Sequence, residues 1–285
     1  SIANIIAGAI KPEVSPFAKE EKDTTSAFQQ LVHTLKATLL VFKKTPKKMA
    51  KVTSSALRAP SPSGEGIAGL SIIRFTQEET NTIEENAVKN GARLSKSSFY
   101  LAATAMALRQ TIFANKGDSF FLPVPQNQRL RGNEQVALGN QLSFLFYAIP
   151  FKKLNNLIEA TACINEQLME QAKQQLPKSY SYLLKSFRFL PLTVYDFFFK
   201  MPTNGAVCSF LFSDAGETLP GVGTYFGKEI IEALNLPPNP SPPGITFVFM
   251  KHAGALKIIT AYDRKVISTD EIDKFETEIK SSLRA

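Results

Sequence analysis

The stretch ITFVFMKHAGALKIITAY, residues 245–262, decides the fold. Its arms, Ile245 to Lys251 and Leu256 to Tyr262, carry the β-branched and aromatic residues that suit a pleated, half-buried surface. Ala253-Gly254 between them reads as a hairpin turn, and a hairpin joins antiparallel strands only. Just downstream, Ser268 with Asp270 and Glu271 marks the start of a helix that runs to Ser282, because an N-cap hydroxyl and early carboxylates satisfy exposed N–H groups and the helix dipole. Upstream, Ala206 to Phe212 and Thr224 to Ile231 read as two further strands.

The same reading extends towards the N-terminus. GLSIIRFT (69–76) reads as a strand that runs into a helix at Thr76, where Glu79 three residues on completes a capping box. That helix closes at Asn90-Gly91, and Ser95 opens another through Leu101, Ala105, Leu108 and Ile112. Phe120 to Val124 and Leu142 to Phe151 read as strands, separated by a polar turn region from Pro125 to Asn140. Residues 154–175 form an amphipathic helix, and 179–201 an aromatic, basic helical stretch broken near Pro191. The pattern is an α/β chain with late antiparallel pairing and no internal repeat.

Before this region lies a different kind of sequence. Residues 26–51 place Phe28, Leu31, Val32, Leu35, Leu39, Leu40 and Phe42 at roughly helical spacing, followed by Lys43, Lys44, Lys47, Lys48 and Lys51. The expected organisation is a helical basic arm over 1–58, a Pro/Ser/Gly linker over 59–66, and an α/β domain over 67–285. Of the net charge of +8, residues 1–60 supply +6, ten Lys/Arg against four Asp/Glu. A basic arm of this kind meets anionic lipid, nucleic acid or an acidic partner, or is simply a solvated helix face.

Composition removes several classes. With 22 Phe, 7 Tyr and 44% hydrophobic residues in 285, the chain has ample apolar surface to offset the entropy of ordering. Two cysteines, Cys163 and Cys208, exclude a disulfide-built scaffold and a four-thiolate zinc site, and both read as small buried hydrophobes. Two histidines, His33 and His252, exclude an all-histidine metal centre, and each reads as a packing or surface residue. There is no phosphate-cradling Gly-rich loop, no nucleophile elbow, no run long enough to span a membrane, and no charged region before the apolar start at residues 1–10. Gly221-Val-Gly223 reads as a turn, and Asp263-Arg264 as an ion pair or turn. A reducing, cytoplasmic location is the expectation.

Five segments in order resemble one family. Leu101-Ala-Ala-Thr-Ala-Met-Ala-Leu-Arg109, Pro123-Val-Pro-Gln-Asn-Gln-Arg129, Ala137-Leu-Gly-Asn-Gln-Leu-Ser143, Ser213-Asp-Ala-Gly216 and Ile259-Thr-Ala-Tyr-Asp263 are similar to the wax ester synthase/diacylglycerol acyltransferase family, over residues 69–283. The resemblance implies the C-terminal half of a chloramphenicol acetyltransferase-like fold, a mixed sheet flanked by helices, in the condensation-domain superfamily. It implies an O-acyltransferase that moves a fatty acyl group from acyl-CoA, a co-substrate rather than a cofactor, to a long-chain alcohol or diacylglycerol. The family's general base is the second His of an H-H-x-x-x-D-G motif, and this sequence contains no His-His pair. The expectation is therefore a tunnel wall and floor that works with a histidine-bearing N-terminal half on another segment. Such a protein rests at a membrane or lipid-droplet surface, and no nucleic acid is expected to bind.

The candidate substrate-binding residues follow. Asn140, Gln141 and Ser143 line the tunnel floor or form a turn into the next strand; Arg129 or its neighbour Arg131 meets a pantetheine or phosphate or is a solvated loop charge. Where the family has N-D, this chain has Ser97-Ser98, which also reads as a plain helix first turn; where the family has S-N, it has Ser213-Asp214. The first departure removes a carboxylate that orders the site in such enzymes. The rival reading is a non-catalytic lipid- or partner-binding module with the same fold.

Overall fold

The computed structural model describes residues 26, 28–29, 31–36, 68–114, 117–127, 142–187, 191–193, 208–241 and 243–285, with the side chains of 185–187 left aside. In chain order the elements are β1 (Ala68–Arg74), α1 (Gln77–Lys89), α2 (Lys96–Gln110), β2 (Ser119–Asn127), β3 (Leu142–Pro150), α3 (Leu157–Lys173) and α4 (Leu176–Phe187). They continue with β4 (Leu211–Glu217), β5 (Thr224–Tyr225), β6 (Lys228–Glu229), β7 (Ile245–His252), β8 (Ala255–Asp263) and α5 (Thr269–Arg284). The expected linker 59–66 and most of the expected arm lie outside the described residues.

Two local signals act as expected. Thr76 and Glu79 close a capping box, with Glu79 N–H donating to Thr76 Oγ1 at 3.1 Å and Thr76 N–H donating to Glu79 Oε2 at 2.8 Å. Ser268 and Glu271 do the same for α5. The turn Ala253-Gly254 has both residues at positive φ, +51° and +77°, the geometry whose twist matches flanking antiparallel strands.

The main sheet has the order β1-β8-β7-β4. β7 pairs antiparallel with β8 and β8 antiparallel with β1, whereas β4 runs parallel to β7. β2 and β3 form an antiparallel ribbon tied to the run into β4, where Ser209 N–H donates to Phe121 O at 2.7 Å and Phe121 N–H to Ser209 Oγ at 2.9 Å. Phe247 and Phe249 of β7 and Phe210 and Phe212 beside them make two columns of rings on one face of the sheet. α2 and α5 cover that face, through the Tyr100–Phe249 and Phe247–Phe275 ring contacts. α2 is buried on nearly every side, as its run of alanines and apolar residues requires.

Three sequence readings need correction. Thr224 to Ile231 is not one strand: Phe226 and Gly227, at φ +49° and +73°, turn it into the short hairpin β5–β6. The polar turn region does not begin at Pro125, because β2 runs through Pro123 and Pro125 to Asn127. The strand expected over 206–212 lies further on, at Leu211–Glu217.

Candidate functional site

The two ring columns end in charge. Strand side chains alternate between faces, so Asp214 continues the column of Phe210 and Phe212, and Lys251 continues that of Phe247 and Phe249. Asp214 lies opposite Phe249 in the β4–β7 register. Both charged residues therefore emerge where the apolar face stops, under the N-terminus of α2. That helix brings in Lys96, Ser97 and, one turn on, Tyr100.

Side-chain bonds knit these groups together. Ser97 lies near the Asp214 carboxylate and favours its charged form, and Asp214 Oδ1 accepts the Gly216 N–H at 3.1 Å. Lys251 Nζ pairs with Glu84 Oε1 of α1 at 2.9 Å, and Lys96 pairs with the other oxygen of the same carboxylate. The first turn of α2 contains no acidic residue, so Asp214 supplies across space the negative charge that favours a helix N-terminus.

The electrostatics divide the two carboxylates. Burial pushes Asp214 above its usual range, against the Gly216 N–H, Lys251 and the Ser97 hydroxyl. Yet the residue remains open to solvent. Burial also raises Glu84, but its bonds to Lys251 and Lys96 outweigh burial and hold it below the usual range. Tyr100, 3% exposed, is pushed well above the ordinary phenol range by burial and then by the charges of Glu84 and Asp214. Its hydroxyl has no hydrogen-bond partner among the described residues.

The structure distributes the sequence candidates unevenly. It brings Ser97 near Asp214, two positions more than a hundred residues apart. Ser98 is buried beneath Ser97, and Ser213 lies opposite Val248 on the other face of the sheet from Asp214. Ser143 is fully buried, with its hydroxyl donating to the Pro177 carbonyl at the start of α4. Arg129, Asn140 and Gln141 lie outside the described residues. Glu84, Lys96, Tyr100 and Lys251 were missed. Only Lys251 had a legible signal, a charge in phase with two buried phenylalanines.

Neither histidine joins this cluster. His33 Nδ1 lies 3.1 Å from Ser179 Oγ, with its ring stacked on Tyr182 at 5.6 Å, and His252 is buried at the end of β7. Cys208 is buried and its thiol pushed up to about 12 by burial, which removes thiolate chemistry at neutral pH. Gly221 turns at positive φ, and Asp263 closes a turn by accepting the Lys265 N–H at 2.9 Å. Among the described residues no group of three or more metal-ligating side chains converges, and no helix is long and apolar enough to cross a membrane. The cluster can accept hydrogen bonds and present charge of both signs.

No protein-family model and no curated sequence matches the chain. Solved structures do. One is the TRI3 trichothecene 15-O-acetyltransferase from Fusarium sporotrichioides, with a TM-score of 0.63 at 17% identity over 91% of this chain and 54% of that one. Another is polyketide synthase associated protein 5 from Mycobacterium tuberculosis, with a TM-score of 0.58 at 13% identity over 87% and 61%. A third is the epimerization domain from the third module of tyrocidine synthetase B, with a TM-score of 0.52 at 14% identity over 91% and 59%. The chain is thus similar in fold to acetyltransferase and condensation-type domains, and it spans between about half and three-fifths of the length of these solved chains.

Proposed function

We propose that this chain forms one wall and the floor of an acyl-transfer site in an O-acyltransferase. The acyl donor is acyl-CoA and the acceptor a long-chain alcohol or diacylglycerol. In the reaction the acceptor oxygen attacks the thioester carbonyl, an ester bond forms, the C–S bond breaks, and the acceptor proton leaves through a base to the departing thiol. The base, the second histidine of a His-His pair, comes from a segment outside this chain.

The observation that carries the reading is the charged cluster at the end of the ring columns, where Lys251 and Lys96 share the Glu84 carboxylate beside Asp214 and Ser97. It lies where the helix leading into Leu101–Arg109 meets the Ser213–Gly216 turn, on a fold similar to that of an acetyltransferase. A developing oxyanion needs fixed positive charge nearby, and the end of the ring columns offers Lys251 there. The test is transfer of a radiolabelled palmitoyl group from palmitoyl-CoA to hexadecanol or dioleoylglycerol. The assay uses this chain alone and then the chain joined to a lobe bearing H-H-x-x-x-D-G. Ester formed only by the joined protein, and reduced by Asp214→Ala, is the expected result. No ester from either form overturns the reading.

The second reading, a lipid- or partner-binding module without chemistry, is favoured by the two histidines, one engaged on α4 and the other buried. It predicts that the joined protein binds palmitoyl-CoA and forms no ester.

A further inference from the structure

Residues 31–36 form a helical segment with its amphipathicity turned inside out. The side facing the body is polar. His33 sits against Ser179 and Tyr182 of α4, and Lys36 Nζ donates to the Gln174 carbonyl at 2.9 Å, in the turn between α3 and α4. The apolar side faces outward. Phe28, Leu31, Val32 and Leu35, at the i, i+3, i+4, i+7 spacing of one helix face, are between 46% and 73% exposed. A helix held on a protein surface ordinarily buries that stripe, because burying a large apolar side chain is worth more than one exposed hydrogen bond.

Charge says what the stripe is built to meet. Lys43, Lys44, Lys47, Lys48 and Lys51 follow it in sequence. On the body, exposed Lys173 and Lys178 flank the turn on which Lys36 rests. The basic excess of the whole chain is concentrated in these first sixty residues. An apolar stripe followed in sequence by a dense lysine run matches a bilayer interface, where acyl chains take the stripe and anionic headgroups attract the lysines.

We propose that the outward face formed by Phe28, Leu31, Val32 and Leu35 docks onto an anionic lipid surface, with α4 as the platform that holds the helix by its polar side. Docking in this way leaves the Ser97–Asp214 cluster, which lies on other elements, unaltered.

The test is co-sedimentation of the full chain with vesicles of phosphatidylcholine alone and of phosphatidylcholine containing about 30% phosphatidylserine. The expected result is at least about tenfold tighter binding to the anionic vesicles, falling as salt is raised from about 0.1 M to about 0.5 M. Leu31→Ser with Leu35→Ser, both exposed, should weaken that binding about tenfold at an unchanged melting temperature. Replacing Lys43, Lys44, Lys47 and Lys48 by Gln should abolish the preference for anionic lipid. Equal binding to both vesicles, undiminished binding of the double-serine variant, or a parent oligomer that the variant dissociates would overturn the proposal, the last by giving the face to a second copy. No acyl donor is present, so failure here and failure of the acyl-transfer reading are separate outcomes.

Discussion

Gln171 of α3 grips the backbone of Phe146 twice: its Oε1 accepts the Phe146 N–H at 2.9 Å and its Nε2 donates to the Phe146 carbonyl at 2.9 Å. One turn earlier Gln167 does the same at Ala148, at 2.9 Å and 3.0 Å. β3 pairs with β2 on one side only, so its other edge would present unpaired N–H and C=O groups. Two glutamines four residues apart lie on one helix face and stand where a further strand would bond. An unprotected edge is a template for association.

Removing both glutamine side chains should therefore cost stability and solubility together. Gln167→Ala with Gln171→Ala is expected to lose roughly 2–4 kcal/mol, about 1–2 per side chain, because backbone groups of a buried strand lose their partners. The variant should also show concentration-dependent association by size-exclusion chromatography. Urea unfolding and elution unchanged from the parent would show that the edge needs no cover.

Gly69 lies opposite Tyr262 in the β1–β8 pairing, and a methyl group at position 69 would overlap the Tyr262 ring, which is 3% exposed. Gly69→Ala should destabilise by about 1–3 kcal/mol through overpacking. The cost should shrink when Tyr262 is also Ala, giving a non-additive double-mutant cycle in urea unfolding. Simple additivity would place the cost of the alanine elsewhere.

Two carboxylates should give opposite pH dependences. Asp214 binds its proton more tightly folded than unfolded, so its ionisation erodes stability as pH rises from 3.8 through the raised native value. Asp214→Asn removes that erosion, and its stability relative to the parent should rise across this interval. Glu232 is held at about 2 by hydrogen bonds from Arg74 and Lys257. Its contribution is present above the ordinary carboxylate value and is lost as pH falls towards 2. Glu232→Gln should therefore trail the parent at neutral pH and converge with it in acid. Parallel unfolding curves for either variant from about pH 2 to about pH 7 would contradict the assignment.

Cys208, 1% exposed with its thiol raised to about 12, should resist maleimide in the folded protein and react on unfolding, whereas half-buried Cys163 is the faster site. Mass mapping of the labelled peptides over time reads this directly. Native labelling of Cys208 at the rate of Cys163 would mean that the run into β4 opens readily.

How much was legible in the sequence follows the range of the forces involved. Thr76 with Glu79, Ser268 with Glu271, and the turn Ala253-Gly254 act within a few residues, so helix starts and the β7–β8 hairpin stand in the sequence itself. The hairpin at Phe226-Gly227 obeys the same rule but lies among residues of high strand propensity, and the positive φ won. The resemblance of separate segments also marked Ser97 and Asp214, but each only as a position on its own element. That they meet depends on β4 lying parallel to β7 and on α2 crossing the end of the ring columns. Strand order and register also placed Glu84 and Lys251 beside them, sent Ser213 to the opposite face, and set Gln167 and Gln171 against the edge of β3. The sequence thus determined the elements, through bonds between near neighbours; the tertiary structure decided the site, because pairing between distant strands is chosen by the packing of the whole core and leaves no local mark.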